Sequence, residues 1–90
     1  MNFETYRIFY YTARYKNITG AAKALFLTQP TVSHAIAGLE KELGCQLFIR
    51  SKKGVQMTPE AELLYRHLSK AFQHVEDGEQ SLRDHLSLSE

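Results

Sequence analysis

Four polar side chains lie close together in the sequence, about a third of the way along the 90-residue chain: Gln29, Thr31, Ser33 and His34. The next acidic residue along the chain is Glu40. Amides, hydroxyls and imidazoles donate and accept hydrogen bonds, which is the chemistry that recognises base edges in the major groove of DNA. A face that is merely exposed to solvent more often carries Glu and Lys. This acid-free stretch therefore indicates contact with a nucleic acid, and Gln29 has the side chain best suited to an adenine edge.

The element that must position these side chains is a helix over residues 29–43, and both of its ends are marked in the sequence. Thr28 is a good N-cap, and Pro30 falls in the first turn, where its missing N–H costs nothing. Gly44 can adopt the left-handed conformation that ends a helix. The apolar residues recur at helical spacing as Val32, Ile36, Leu39 and Leu43. This stripe would pack against the domain and turn the polar side chains outward.

The residues before this helix predict two further helices. Residues 3–15 are densely apolar at helical spacing, and Asn2 is available as an N-cap. A short helix over residues 20–25 follows, with Thr19 as its expected cap, and a tight turn leads to Thr28. Two helices joined by such a turn form a helix-turn-helix, although Phe26 lies where a glycine is common.

Beyond Gly44 the sequence predicts a small β-hairpin, which we call the wing, over residues 47–58. Two short apolar segments flank the four-residue polar loop 51–54. Arg50, Lys52 and Lys53 lie at or beside this tip, where cations suit contact with phosphates.

A long helix is predicted from Pro59 to about residue 86, with Thr58 as its cap. Its apolar residues follow steps of three and four, as in a coiled coil. They are Tyr65, Leu68, Phe72, Val75, Leu82 and Leu86, and the polar residue Glu79 occupies the one remaining position of the stripe, between Val75 and Leu82. A domain of this size cannot cover such a stripe by itself, so we expect the helix to pair with the same helix of a second chain.

The predicted fold class is mainly α, a winged helix-turn-helix of three helices plus a two-stranded wing, followed by a long linker helix for dimerisation. We expect residues 1–58 to form the DNA-binding domain and residues 59–90 the dimerisation helix. Charge follows the same division: residues 1–58 carry eight Lys or Arg against three acids, and residues 59–90 carry three against seven. A basic front half suits a module that presents one face to a polyanion.

Other functions find little support in the sequence. No Ser–His–Asp constellation or glycine-rich phosphate loop is suggested, and His67, His74 and His85 lack a chelating neighbour four residues away. We therefore expect no enzyme, no metal and no cofactor. Cys45 is the only cysteine, which fits a reducing compartment. No secretory signal or bilayer-length apolar run is present, so we expect a cytoplasmic protein with no membrane contact.

From residue 3 to about residue 86 the chain resembles the N-terminal DNA-binding domain of LysR-type transcriptional regulators. The most specific part is Asn17-Ile18-Thr19-Gly20-Ala21-Ala22, then Leu25 and Thr28-Gln29-Pro30-Thr31-Val32-Ser33, and matches continue at Ile36, Leu39-Glu40, Leu43-Gly44, Leu47-Phe48, Arg50 and Thr58. The resemblance implies a homodimer on a roughly twofold-symmetric site in double-stranded DNA. It also implies an effector-binding C-terminal domain in the intact regulator, which is absent here. The family often has Arg after Ser33, whereas this chain has His34.

Two groups of residues are expected to carry the function. The DNA contacts, from the recognition helix 29–43 and its surroundings, are Thr19, Thr28, Gln29, Pro30, Thr31, Ser33, His34, Arg50, Lys52 and Lys53. The dimer contacts are the apolar residues of the last helix. The alternative is a helical dimerisation or protein-interaction module with a purely structural helix-turn-helix, which would not need an acid-free face beside a basic wing.

Overall fold

The structure, a computed structural model, describes residues 2–88. In chain order its elements are α1 (Phe3–Tyr15), α2 (Ile18–Leu25), α3 (Gln29–Leu43), β1 (Phe48–Ser51), β2 (Gly54–Met57) and α4 (Pro59–Leu88). This architecture confirms the predicted class, a mainly helical fold with a two-stranded antiparallel wing. Within residues 2–88, none of the helices combines the length and the apolar character that a membrane span requires.

The hydrophobic core forms where the first three helices meet the wing. Phe9 of α1, Val32 of α3 and Leu47 before β1 are all fully buried, and the ring of Phe9 lies 5.3 Å from that of Phe48. Three members of the apolar stripe predicted for α3 are buried, but Leu43 is 42% exposed. Leu43 lies in the last turn of α3, at the edge of the core, so the stripe packs only over its first three positions.

Both predicted ends of α3 are confirmed. The hydroxyl of Thr28 accepts a hydrogen bond from the backbone N–H of Thr31 at 3.3 Å, and Gly44 ends the helix with a φ of 75°. The predicted cap of α1 is also correct, since the side chain of Asn2 accepts hydrogen bonds from the first turn.

The predicted start of α2 is wrong. Asn17, not Thr19, is the N-cap, because its backbone is extended and its side-chain oxygen accepts a hydrogen bond from the N–H of Gly20 at 3.0 Å. The helix therefore begins at Ile18 and leaves Thr19 exposed in its first turn. Phe26 ends the helix with a φ of 59°, in the left-handed conformation that glycine adopts more readily.

The wing is tighter than predicted and is anchored to the turn after α1. Ser51 pairs with Gly54, so the connecting turn consists of Lys52 and Lys53 alone. The N–H of Val55 donates to the carbonyl oxygen of Lys16 at 3.1 Å. Gly54 has a φ of 115°, and a Cβ at this position would overlap the same carbonyl oxygen. Glycine is thus required at position 54 both for its backbone conformation and for the close approach of the wing to α1.

The long helix α4 begins inside the core and then leaves it. Thr58 caps it as predicted, accepting a hydrogen bond from the N–H of Ala61, and Ala61 is fully buried. Farther along, the ring of Tyr65 stacks on Tyr10 of α1 at 5.1 Å, and Phe72 lies 4.7 Å from the same ring. From residue 73 to residue 88 every residue is exposed. The first half of the predicted dimer stripe therefore packs partly on α1 of its own chain, and the second half is open.

Candidate nucleic-acid interface

The first group of predicted DNA contacts lies on the outward side of α3. Helical geometry turns Pro30 and His34 away from the stripe of Val32 and Ile36, and both residues are exposed. Gln29 is also exposed, in the first turn of the helix. Ser33 is half-buried, because it lies at the flank of the outward side. The structure therefore brings these side chains together at the N-terminal end of α3.

Two threonines of this group are bonded to each other. The hydroxyl oxygens of Thr28 and Thr31 lie 2.8 Å apart, in addition to the capping bond between their residues. Both hydroxyls therefore help to define the first turn of α3. Gln29 and His34 have no part in this cap, and their side chains extend from the helix surface.

The second group of predicted contacts lines a surface groove of about 330 Å³ between α2 and the wing. Thr19 forms one side of the groove, and Arg50, Lys52 and Lys53 form the other. None of the described residues that line it is acidic. The hydrogen bond between Val55 and Lys16 holds the wing beside the start of α2. The groove therefore combines a concentration of positive charge with hydroxyl and amide groups, which suits a phosphate backbone.

The two groups are connected through Glu40, a role that the sequence did not reveal. Its carboxylate accepts hydrogen bonds from the backbone N–H of Leu47 at 2.7 Å and of Phe48 at 3.3 Å. These bonds fix the start of β1 to the recognition helix. Nothing in the local pattern marks the partners, which lie seven and eight residues farther along the chain.

Thr58 fixes the other end of the wing. Its hydroxyl donates to the carbonyl oxygen of Gln46 at 2.7 Å and accepts the capping bond of α4.

The wing and α2 are also positioned by three residues to which the sequence assigned no such role: Asn17, Lys16 and Gly54. An Asn before a helical pattern is a capping signal that could have identified Asn17, whereas the contacts of Lys16 and Gly54 depend on long-range packing.

The remaining candidate residues lie apart from this interface. Cys45 is half-buried and packs against the core. Among the described residues, no group of three or more His, Cys, Asp or Glu side chains is arranged to hold a metal ion. The predicted dimer contacts form a separate surface along α4.

The fold and the interface together define a winged helix-turn-helix domain. A family model described as "Bacterial regulatory helix-turn-helix protein, lysR family" matches residues 3–62. This chain belongs to the LysR family and is a DNA-binding helix-turn-helix domain of that family.

Relatives and solved structures agree with this assignment. The transcriptional regulator CzcR of Bacillus subtilis (strain 168) is 40% identical over 84 residues, which cover 93% of this chain and 29% of CzcR. The regulator BlaA of Proteus vulgaris is 41% identical over 70 residues, 78% of this chain and 24% of BlaA. This chain therefore spans less than a third of the length of these two relatives.

Two solved structures of DNA complexes are similar over nearly the whole chain. The complex of the BenM DBD with catB site 1 DNA has a TM-score of 0.82 and 32% identity, and 97% of each chain is covered. The complex of the CbnR DBD with DNA has a TM-score of 0.78 and 25% identity, covering 93% of this chain and 97% of the other.

Proposed function

We propose that this chain binds double-stranded DNA at a specific sequence, with α3 in the major groove. The observation that carries the proposal is that the outward side of the first two turns of α3 is exposed and free of acidic residues. The major groove is wide enough for an α-helix and displays a different pattern of donors and acceptors for each base pair. Gln29 pairs with an adenine edge, and His34 and Ser33 contact neighbouring base edges or phosphates.

The wing lies on the flanking backbone or minor groove. Arg50, Lys52 and Lys53 neutralise phosphates, and the hydroxyl of Thr19 bonds the same backbone from the other side of the groove between α2 and the wing. Thr28, Pro30 and Thr31 lie at the start of α3, where backbone N–H groups and the helix dipole also favour a phosphate. These contacts supply affinity and salt dependence but little sequence preference.

The domain acts as a homodimer through α4. Val75, Leu82 and Leu86 are 50%, 58% and 57% exposed, and a second copy of the helix would remove this apolar surface from water. Tyr65, Leu68 and Phe72 extend the same stripe, although each is half-buried by contacts within the chain. A twofold dimer presents two recognition helices to successive major grooves of a roughly twofold-symmetric site.

The parts of the chain before and after residue 58 have different roles. Residues 1–58 bind DNA and residues 59–90 dimerise, while the buried side chain of Ala61 anchors α4 to the DNA-binding part. The intact protein is a cytoplasmic transcriptional regulator with an effector-binding C-terminal domain, and it is not an enzyme. Its family membership and the greater length of its relatives, which are named as transcriptional regulators, support this proposal.

Selection of bound duplexes from a randomised DNA pool by the 90-residue chain tests the proposal. We expect enrichment of two similar half-sites related by twofold symmetry, with centres about 10 base pairs or a multiple of that apart. We also expect affinity to fall steeply as salt concentration rises, because phosphate contacts release counterions. A pool without enriched sequences, or an affinity that does not change with salt, would contradict the proposal. Capture of a protein partner without any DNA binding would favour an interaction module.

A further inference from the structure

Gly38 lies inside α3, where glycine lowers helix stability relative to alanine because it loses more conformational freedom on folding. The fold of the chain gives no reason for this glycine. Its φ is not positive, unlike those of Gly44 and Gly54. A Cβ built on Gly38 would meet nothing within 4 Å, so no packed neighbour excludes a larger residue.

The position of Gly38 indicates where the reason lies. It follows His34 by one helical turn and is exposed, as is Ala37 beside it. Lys41, three residues later, is exposed as well. The space beside Gly38 is therefore on the outward side of α3 and open to a partner outside the chain. Under the proposed function that partner is DNA.

We propose that Gly38 is a point of close approach between the recognition helix and the wall of the major groove. Because Gly38 has no side chain, the backbone of α3 at this position contacts a sugar or phosphate of the groove wall by van der Waals packing. This contact sets how deeply α3 enters the groove and therefore how far Gln29 and His34 reach toward the bases. The inference rests on the proposed function and adds a residue that sets the depth of binding.

The test uses Gly38→Ala and Gly38→Leu in the 90-residue chain, with a duplex selected by the wild-type chain from a randomised pool. Because alanine favours the helix, we expect Gly38→Ala to raise the thermal midpoint by roughly 2–8 °C. We expect the same variant to bind the selected duplex about tenfold more weakly, and Gly38→Leu to bind more weakly still, because each added group holds the helix away from the groove. Opposite effects on folding and on binding distinguish a DNA contact from a structural role.

Gly78→Ala is the matched control, because Gly78 also lies inside a helix and its added Cβ would also meet nothing within 4 Å. We expect it to raise the midpoint and to leave DNA affinity unchanged at a concentration where sedimentation shows the wild-type oligomeric state.

Any one of three results would overturn the inference. The first is that Gly38→Ala binds as tightly as the wild type, and the second is that it loses stability together with binding. The third is that it weakens binding no more than Gly78→Ala does. These results differ from a failure of the proposed function, in which the wild-type chain itself would enrich no sequence.

Discussion

The carboxylate of Glu40, in the second half of α3, accepts a hydrogen bond from the backbone N–H of Leu47 at 2.7 Å, immediately before the wing. The N–H of Phe48 donates to the same carboxylate oxygen at 3.3 Å. The recognition helix and the first wing strand are therefore held at a fixed relative position. Because α3 and the wing carry proposed DNA contacts, this bond helps to fix the relative position of the two groups of contacts.

Loss of this carboxylate should destabilise the domain. Glu40→Ala leaves the N–H groups of Leu47 and Phe48 without their acceptor, and we expect the free energy of unfolding to fall by about 1–3 kcal/mol. Glu40→Gln keeps an acceptor without the charge and should cost less. Urea denaturation measures the change, and Glu42→Ala, at an exposed neighbouring position, is the control. Equal effects of Glu40→Ala and Glu42→Ala would show that the bonds to the wing contribute nothing.

The wing should not tolerate a side chain at position 54. We expect Gly54→Ala to lower the free energy of unfolding by more than about 1 kcal/mol, because its φ is 115° and the new Cβ would overlap the carbonyl oxygen of Lys16. Thermal denaturation measures the loss. Gly38→Ala is the contrasting variant, since it should be stabilising. A Gly54→Ala domain that melted at or above the wild-type temperature would contradict this account of the contact between the wing and α1.

Removal of two polar side chains from α3 should weaken binding to the selected duplex without affecting the fold. We expect Gln29→Ala combined with Ser33→Ala to bind the selected duplex at least about tenfold more weakly, since a good bidentate base contact contributes about 1–3 kcal/mol. Fluorescence anisotropy measures the affinity, and sedimentation checks that the dimer persists. Gln73→Ala, at an exposed position of α4, is the control. Wild-type affinity in the double variant would exclude Gln29 and Ser33 as a source of specificity.

The wing lysines should contribute affinity that is independent of sequence. We expect Lys52→Ala combined with Lys53→Ala to weaken binding to selected and random duplexes alike. We also expect the slope of log affinity against log salt to become shallower by about 2, close to 0.9 for each lost phosphate contact. Lys70→Ala removes one exposed cation from α4 and should leave the slope unchanged. If the double variant kept the wild-type salt slope, the wing would not be in contact with the backbone.

A charge on the open half of α4 should separate the dimer. Leu68→Asp and Phe72→Asp are also expected to give monomers, but both residues pack within the chain, Phe72 against Phe3 and Tyr10, so these variants also disturb the fold. Leu82 is 58% exposed, so Leu82→Asp should give a monomer in sedimentation with an unchanged circular dichroism spectrum.

Ser81→Asp, at the exposed neighbouring position, is the control for the added charge and should remain dimeric. A Leu82→Asp chain that sedimented as a dimer would remove Leu82 from the proposed interface.

Helix ends were predictable from the sequence where their signals are local. Thr28 and Gly44 delimit α3 because a hydroxyl cap and a left-handed glycine act within one turn of the helix. The start of α4 at Pro59 follows for the same reason. For α2, Asn17 and Thr19 are both residue types that cap helices, and the extended backbone of Asn17 makes it the cap.

The sequence by itself determined the helix-turn-helix, the existence of the wing and the acid-free outward side of the first two turns of α3, because helical and strand periodicity fix which side chains share a face. Only the tertiary structure decided how these parts are joined. The N–H of Leu47 donates to Glu40 and the N–H of Val55 donates to Lys16, and local spacing does not encode these pairs, because their members lie beyond one helical turn of each other. The stacking of Tyr65 on Tyr10 likewise depends on how α4 crosses α1, so packing alone divides the apolar stripe of α4 into an internal half and an open half.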